Sequence, residues 1–318
     1  MKSRIFSRDI LTHCYQRTSD KGVLFYSYGD CLEYFTLYCV LAKKYNIRVS
    51  ALCLMPDHVH DAISARRQSE MTGFKRDLNT QFSKQYNKRC GTKGPLLEGP
   101  YGSAVKYGPK KARTNIIYIA NNPVERQLCS LAEEYRWNFV AYATSPHPFS
   151  EKLVIRKARW PLQMAVKEVK RQYNKGLPLN YAMLQRLFEK LNNKECQQLV
   201  DYIISTYNVI DYNGILKLFD NSIDAMLSAI HSTTGSEYDI NEPFLGKTDR
   251  PYATMSKILL SEAHLKDIHD FLSWNPAQKY DLFVLLRKHT DVMGEQIAKY
   301  LHLQMKKGIE GPDPPLEA

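Results

Sequence analysis

No apolar run in the 318-residue chain approaches the roughly 18 residues of a membrane span, so no membrane partner is expected. Met1-Lys2-Ser3-Arg4 is followed by no apolar stretch of the signal-peptide kind. The seven cysteines (Cys14, Cys31, Cys39, Cys53, Cys90, Cys129 and Cys196) are odd in number and scattered, with no Cys-x-x-Cys pair. That argues against a disulfide framework and against a zinc knuckle, and for a reducing, cytoplasmic setting. Internal repeats are not evident. Acidic residues are scarce in one half only: residues 1–150 hold 22 Lys and Arg against 12 Asp and Glu, whereas residues 151–318 hold 22 against 21. The first half therefore looks built to meet a polyanion. An apolar content of 44% with 24% charge is ordinary for a folded protein and argues against wholesale disorder.

Alternation and turn residues predict a first strand over Thr12–Arg17. A helix is predicted from Cys31 to about Tyr45 with Asp30 as its N-cap, then a buried strand Val49–Met55. Pro56-Asp57 makes a tight turn into a returning strand, His58–Ile63. Residues 69–90 read as a helix with Phe74, Leu78, Phe82 and Tyr86 on one side. A Gly- and Pro-rich loop comes next over 91–102, then a short strand at 103–107 and a helix over about 110–122 that meets Pro123. This order predicts an α+β, ferredoxin-like antiparallel sheet with helices packed on one face.

The stretch Leu52-Cys53-Leu54-Met55-Pro56-Asp57-His58-Val59-His60 organises the rest. On a strand, His58 and His60 share one face, about 6–7 Å apart at Cα, and can lean onto one metal ion. A His-x-His-x-Asp metallohydrolase pattern fails, because its third position is Ala62. On the last helix of this half, Tyr118 and Asn122 lie one above the other, about 6 Å apart along the axis. A tyrosine can act as a nucleophile that makes a covalent intermediate, although a phenol pKa of about 10 requires help. Pro123 pushes Asn122 away from regular helix, which keeps Asn121 open as a substitute.

Five segments in order carry a resemblance: His13-Cys14-Tyr15-Gln16-Arg17, Cys53–His60, Gly94–Ser103, Tyr118–Val124 and Tyr135–Phe139. Together, over roughly residues 10–145, they resemble the REP-associated tyrosine transposases, a branch of the single-tyrosine HUH transposases of bacterial insertion sequences. The resemblance implies that His58 and His60, with Asn122 as a polar third ligand, hold a divalent metal, Mg2+ or Mn2+. It implies that Tyr118 cuts single-stranded DNA beside hairpin-forming palindromes and becomes linked to the 5′ phosphate. Arg17 and the basic helix positions Lys75, Arg76, Lys84, Lys88 and Arg89 are the expected DNA contacts. The chain departs from the family pattern at Gly99-Pro100-Tyr101-Gly102-Ser103, where two positive charges are missing. Asp57 replaces the usual Asn, and Asp61 stands where an apolar residue is usual, on the side of Val59. The alternatives are a replication-initiator or relaxase-type HUH nuclease and a host-adopted hairpin-binding protein without catalysis.

These readings divide the chain into an HUH domain, 1–145, a helical domain of unknown role, 146–307, and a flexible tail, 308–318. Candidate helices in the second half are 161–174, 180–191, 193–206, 212–219, 221–232, 251–261, 264–272, 276–288 and 293–302. Residues 279–303 end like the first helix of a helix-turn-helix, but the stretch beyond Leu303 is too short and Gly-broken for a recognition helix. A homodimer is allowed by the sequence.

Overall fold

A computed structural model describes residues 5–232 and 249–304. Its elements are β1 (Thr12–Arg17), α1 (Tyr28–Lys44), β2 (Arg48–Leu54), β3 (His58–Ser64), α2 (Gln68–Cys90), β4 (Gly102–Val105) and α3 (Gly108–Glu125). The second half contributes α4 (Trp160–Asn174), α5 (Tyr181–Phe188), α6 (Asn193–Tyr207), α7 (Tyr212–Leu216), α8 (Ile223–Ser232), α9 (Pro251–Glu262), α10 (Pro276–His289) and α11 (Gly294–Leu301). The expected tail, 308–318, lies outside the described residues.

The sheet is antiparallel throughout, in the order β2-β3-β1-β4, which is the ferredoxin-like arrangement. Side chains alternate across it, and the two faces bury different partners. Cys14, Leu52, Leu54, Val59 and Ile63 join a core with α1 and α2. Ala51, Cys53 and Ala62 join a second cluster with Ile116, Ile117 and Ile119 of α3. Thus α1 and α2 cover one face, and α3 lies on the other, the face of His58 and His60. The larger core also takes in Leu162, Leu199, Ile203, Leu259 and Tyr300, so helices of the second half pack directly onto the first.

Several boundaries differ from expectation for local reasons. Ser27, not Asp30, caps α1. Asp30 is the third residue of a capping box and accepts from the backbone N–H groups of Tyr26 and Ser27. Helix α3 runs through Pro123 to Glu125, so Asn122 sits inside the helix; the proline falls in its last turn, where only one ladder bond is lost. Residues 264–272 form no regular α-helix. His264 has a positive φ, and Asp267 and Asp270 bond nearby backbone N–H groups, leaving only a short 3-10 turn at Asp270–Ser273. At one sheet edge, single bridges join Val49 to Ile210 and Cys53 to Asn138, whereas β4 is short and mostly exposed.

Candidate active site

His58 and His60 project side by side from β3, their ring centroids 4.8 Å apart, and both are fully buried. Each uses its Nδ1 toward a neighbour. His58 Nδ1 lies 2.6 Å from Asp57 Oδ1, and His60 Nδ1 lies 2.9 Å from His13 Nε2. A proton on each Nδ1 leaves each Nε2 as a lone-pair donor facing away from those bonds. His58 Nε2 is buried and has no hydrogen-bond partner among the described residues. Tyr15, opposite His60 in the register, places its ring 5.3 Å from His58 and 5.1 Å from His60.

Helix α3 is pinned over this face. Asn138 donates to Ala120 O at 2.8 Å, and Asn121 donates to Ile230 O of α8 at 2.9 Å. The Tyr118 ring then lies 5.5 Å from the His60 ring and 5.7 Å from that of His13. One turn later, both polar atoms of the Asn122 amide are buried without a hydrogen-bond partner among the described residues. The same holds for Asn115, one turn before Tyr118 and on the same stripe of the helix. Buried amides are rarely left in this state, so a polar stripe of α3 faces a spot that its own fold does not satisfy.

Burial sets the charge states. It pushes the His60 imidazole well below its usual pKa, with His58 and His13 adding to the effect. Burial likewise lowers His13 to about 3, with Lys106 adding to it. Both rings are therefore neutral at physiological pH. Burial opposes ionisation of Asp57, but His58 and then Lys299 outweigh it and hold the carboxyl well below the usual range. Among the described residues, no group of three or more His, Cys, Asp or Glu side chains is placed to hold a metal ion. His13, its Nε2 already engaged, is thus a neighbour of the histidine pair rather than a third member.

The expected DNA contacts separate into three groups. Lys75 is a correction: it is buried, and its ammonium sits 2.8 and 2.6 Å from the Asp61 oxygens. Tyr38 donates to the same carboxylate at 2.8 Å, which explains how Asp61 tolerates the core face. Arg89 is a second correction: its largely buried guanidinium bonds Asp30 at 2.6 Å and Glu33 at 2.8 Å. Arg17 pairs with Glu98 at 2.5 Å, and Arg76 with its neighbour Asp77 at 3.0 Å. Lys84 and Lys88 are exposed on α2, while Tyr86 faces the core.

Sequence reasoning left Asn115, the orienting part of His13, and Lys299 unassigned. His13 alternates with Tyr15 toward the histidine face, so strand period alone was a usable signal. Lys299 comes from more than 200 residues away, and nothing local marks it.

Residues 10–122 match the model of a family described as "Transposase IS200 like". This stretch holds the first three of the five segments and most of the fourth, so the match agrees with the resemblance there. No curated protein matches the chain. Among solved structures, one described as "Structure of the REP associates tyrosine transposase bound to a REP hairpin" is similar over 48% of this chain and 92% of that one, at 14% identity and a TM-score of 0.39. Among the described residues, no helix is long and apolar enough to cross a membrane.

Proposed function

We propose that this chain cuts and rejoins single-stranded DNA beside a hairpin, with Tyr118 as nucleophile. The observation that carries the reading is the approach of the Tyr118 ring to within 5.5 Å of the His60 ring from an element distant in sequence. The phenol oxygen attacks the scissile phosphorus and gives up its proton, and the 3′ oxygen of the broken strand leaves. The 5′-phosphotyrosine bond keeps the energy of the phosphodiester, so the reverse attack rejoins strands without ATP.

The donor set fits a divalent cation: two imidazoles and an amide oxygen, with His58 Nε2 and the Asn122 amide buried and without hydrogen-bond partners among the described residues. His58, His60 and Asn122 would hold Mg2+ or Mn2+. Asn122 is preferred over Asn121, which is committed to Ile230. Bound there, the ion would supply positive charge to the scissile phosphate as negative charge builds on it. Lys84 and Lys88, with Arg17 and Arg76 at their carboxylate partners, are the candidate phosphate contacts. Residues 1–145 would form the catalytic unit, and 146–307 the helical domain packed on it.

A second reading rests on one observation: Tyr118, His58, His60 and Asn122 are all buried. A closed site of this kind suits a hairpin binder that performs no turnover. A labelled hairpin oligonucleotide incubated with and without Mn2+ separates the two. The transferase reading expects a protein–DNA adduct that survives SDS and disappears in Tyr118→Phe. Binding with no adduct under any metal condition overturns it in favour of the binder.

A further inference from the structure

The helical half reaches the histidine pair through one side chain. Asp57 uses Oδ1 toward His58 Nδ1 at 2.6 Å, and its other oxygen, Oδ2, lies 2.5 Å from Nζ of Lys299 on α11. Both members of this ion pair are nearly buried, with side-chain exposures of 10% for Lys299 and 11% for Asp57. The approach is supported on both sides. On the Asp57 side, Leu24 N and Phe25 N both donate to Pro56 O, at 2.7 and 2.9 Å, and hold the turn. On the α11 side, Tyr26 donates to Tyr300 O at 2.7 Å, His302 Nε2 meets Val23 O at 2.9 Å, and Tyr300 OH meets Ser256 Oγ at 2.7 Å. The segment 23–26 thus clamps the Pro56-Asp57 turn and α11 to each other.

We propose that Lys299 is a positioning residue for the metal site: by holding Asp57, it fixes the orientation of His58 and leaves Nε2 aimed at the spot shared with His60. The inference rests on the metal-dependent reading of the site and gives the helical half a role in it. A carboxylate anchored at both oxygens cannot swing away from the imidazole. An unanchored one leaves the ring free to turn or change tautomer. Partners behind a ligand histidine commonly matter by 10–100-fold in metal affinity.

The test uses the full-length protein and Mn2+ alone, with binding read by electron paramagnetic resonance. Lys299→Met is expected to weaken Mn2+ binding by about 10–100-fold, and Lys299→Arg to restore most of the loss. Hairpin binding in the presence of chelator should not change. In the Asp57→Asn background, Lys299→Met should add little, because its route to His58 is already altered. Nitrogen NMR of the metal-free protein gives an independent readout: the Nδ1–H tautomer of His58 should dominate in the parent and become mixed in folded Lys299→Met. Unchanged Mn2+ affinity and tautomer in Lys299→Met would overturn the proposal. An equal loss in the Asp57→Asn background would also overturn it. If the parent protein binds no Mn2+, the metal reading itself fails; if the parent binds and Lys299→Met binds equally, only the positioning role fails.

Discussion

Replacing Lys75 by Met tests whether the charge on α2 serves the core or the nucleic acid. The ammonium lies within 2.8 Å of both Asp61 oxygens, on the sheet face opposite His58 and His60, and is shielded from solvent. Burial alone would lower its pKa, but Asp61 outweighs burial and raises the lysine above its usual range. Removing it leaves a buried carboxylate that, among the described residues, keeps the hydrogen bond donated by Tyr38. Breaking one half of a buried pair costs about 3–5 kcal/mol. Lys75→Met/Asp61→Asn removes the stranded charge yet keeps an acceptor for Tyr38, so most of the loss should return. Urea unfolding of the two single variants and the double variant gives the coupling energy directly. Hairpin binding measured against salt in parallel should show an unchanged slope, because no phosphate contact is lost. The reasoning is refuted if Lys75→Met unfolds like the parent while its log–log salt slope falls by about 0.7–0.9, the signature of one lost phosphate contact.

On the same salt axis, Lys84→Gln/Lys88→Gln should leave stability within about 0.5 kcal/mol of the parent and lower the slope by roughly 1–2; an unchanged slope removes this face from the DNA-binding surface. Asn115→Leu should unfold at the parent's temperature or above, since its amide makes no hydrogen bond among the described residues, and should process DNA more slowly; unimpaired processing would mean that the amide serves no substrate. His269 sits between Asp30 and Asp267; burial lowers its pKa, but the two carboxylates outweigh this and raise it to about 9. Its stabilisation, about 3 kcal/mol from the ratio of folded to unfolded proton affinity, is fully present below about pH 6.5 and is lost as pH rises through about 9. The stability gap between the parent and His269→Asn should therefore shrink by that amount from pH 6 to pH 10, and a constant gap would show the ring to be neutral throughout.

Local pattern was enough to read β1, the two histidines sharing one face of β3, and Tyr118 with Asn122 on one face of α3. All three derive from residue spacing within a single element. What spacing could not supply was the identity of the partners. Lys75 and Arg89 look like neighbours of Lys84 and Lys88 on a basic helix, yet Asp61, Asp30 and Glu33 arrive from other elements and take them inward. Asp61 read as awkward for the same reason: its counter-charge lies 14 residues further along the chain. The stretch 264–272 failed differently. Its apolar spacing suits a helix, but aspartate side chains capture the backbone donors that the helix needs.

The unequal margins of the sheet limit how copies of this chain can join. Beyond β2, the bridges to Ile210 and Asn138 already occupy part of the backbone, so that margin resists the addition of a foreign strand. The opposite margin, Gly102–Val105, offers only four residues. An antiparallel pairing of two such edges would be self-complementary and would end at two molecules.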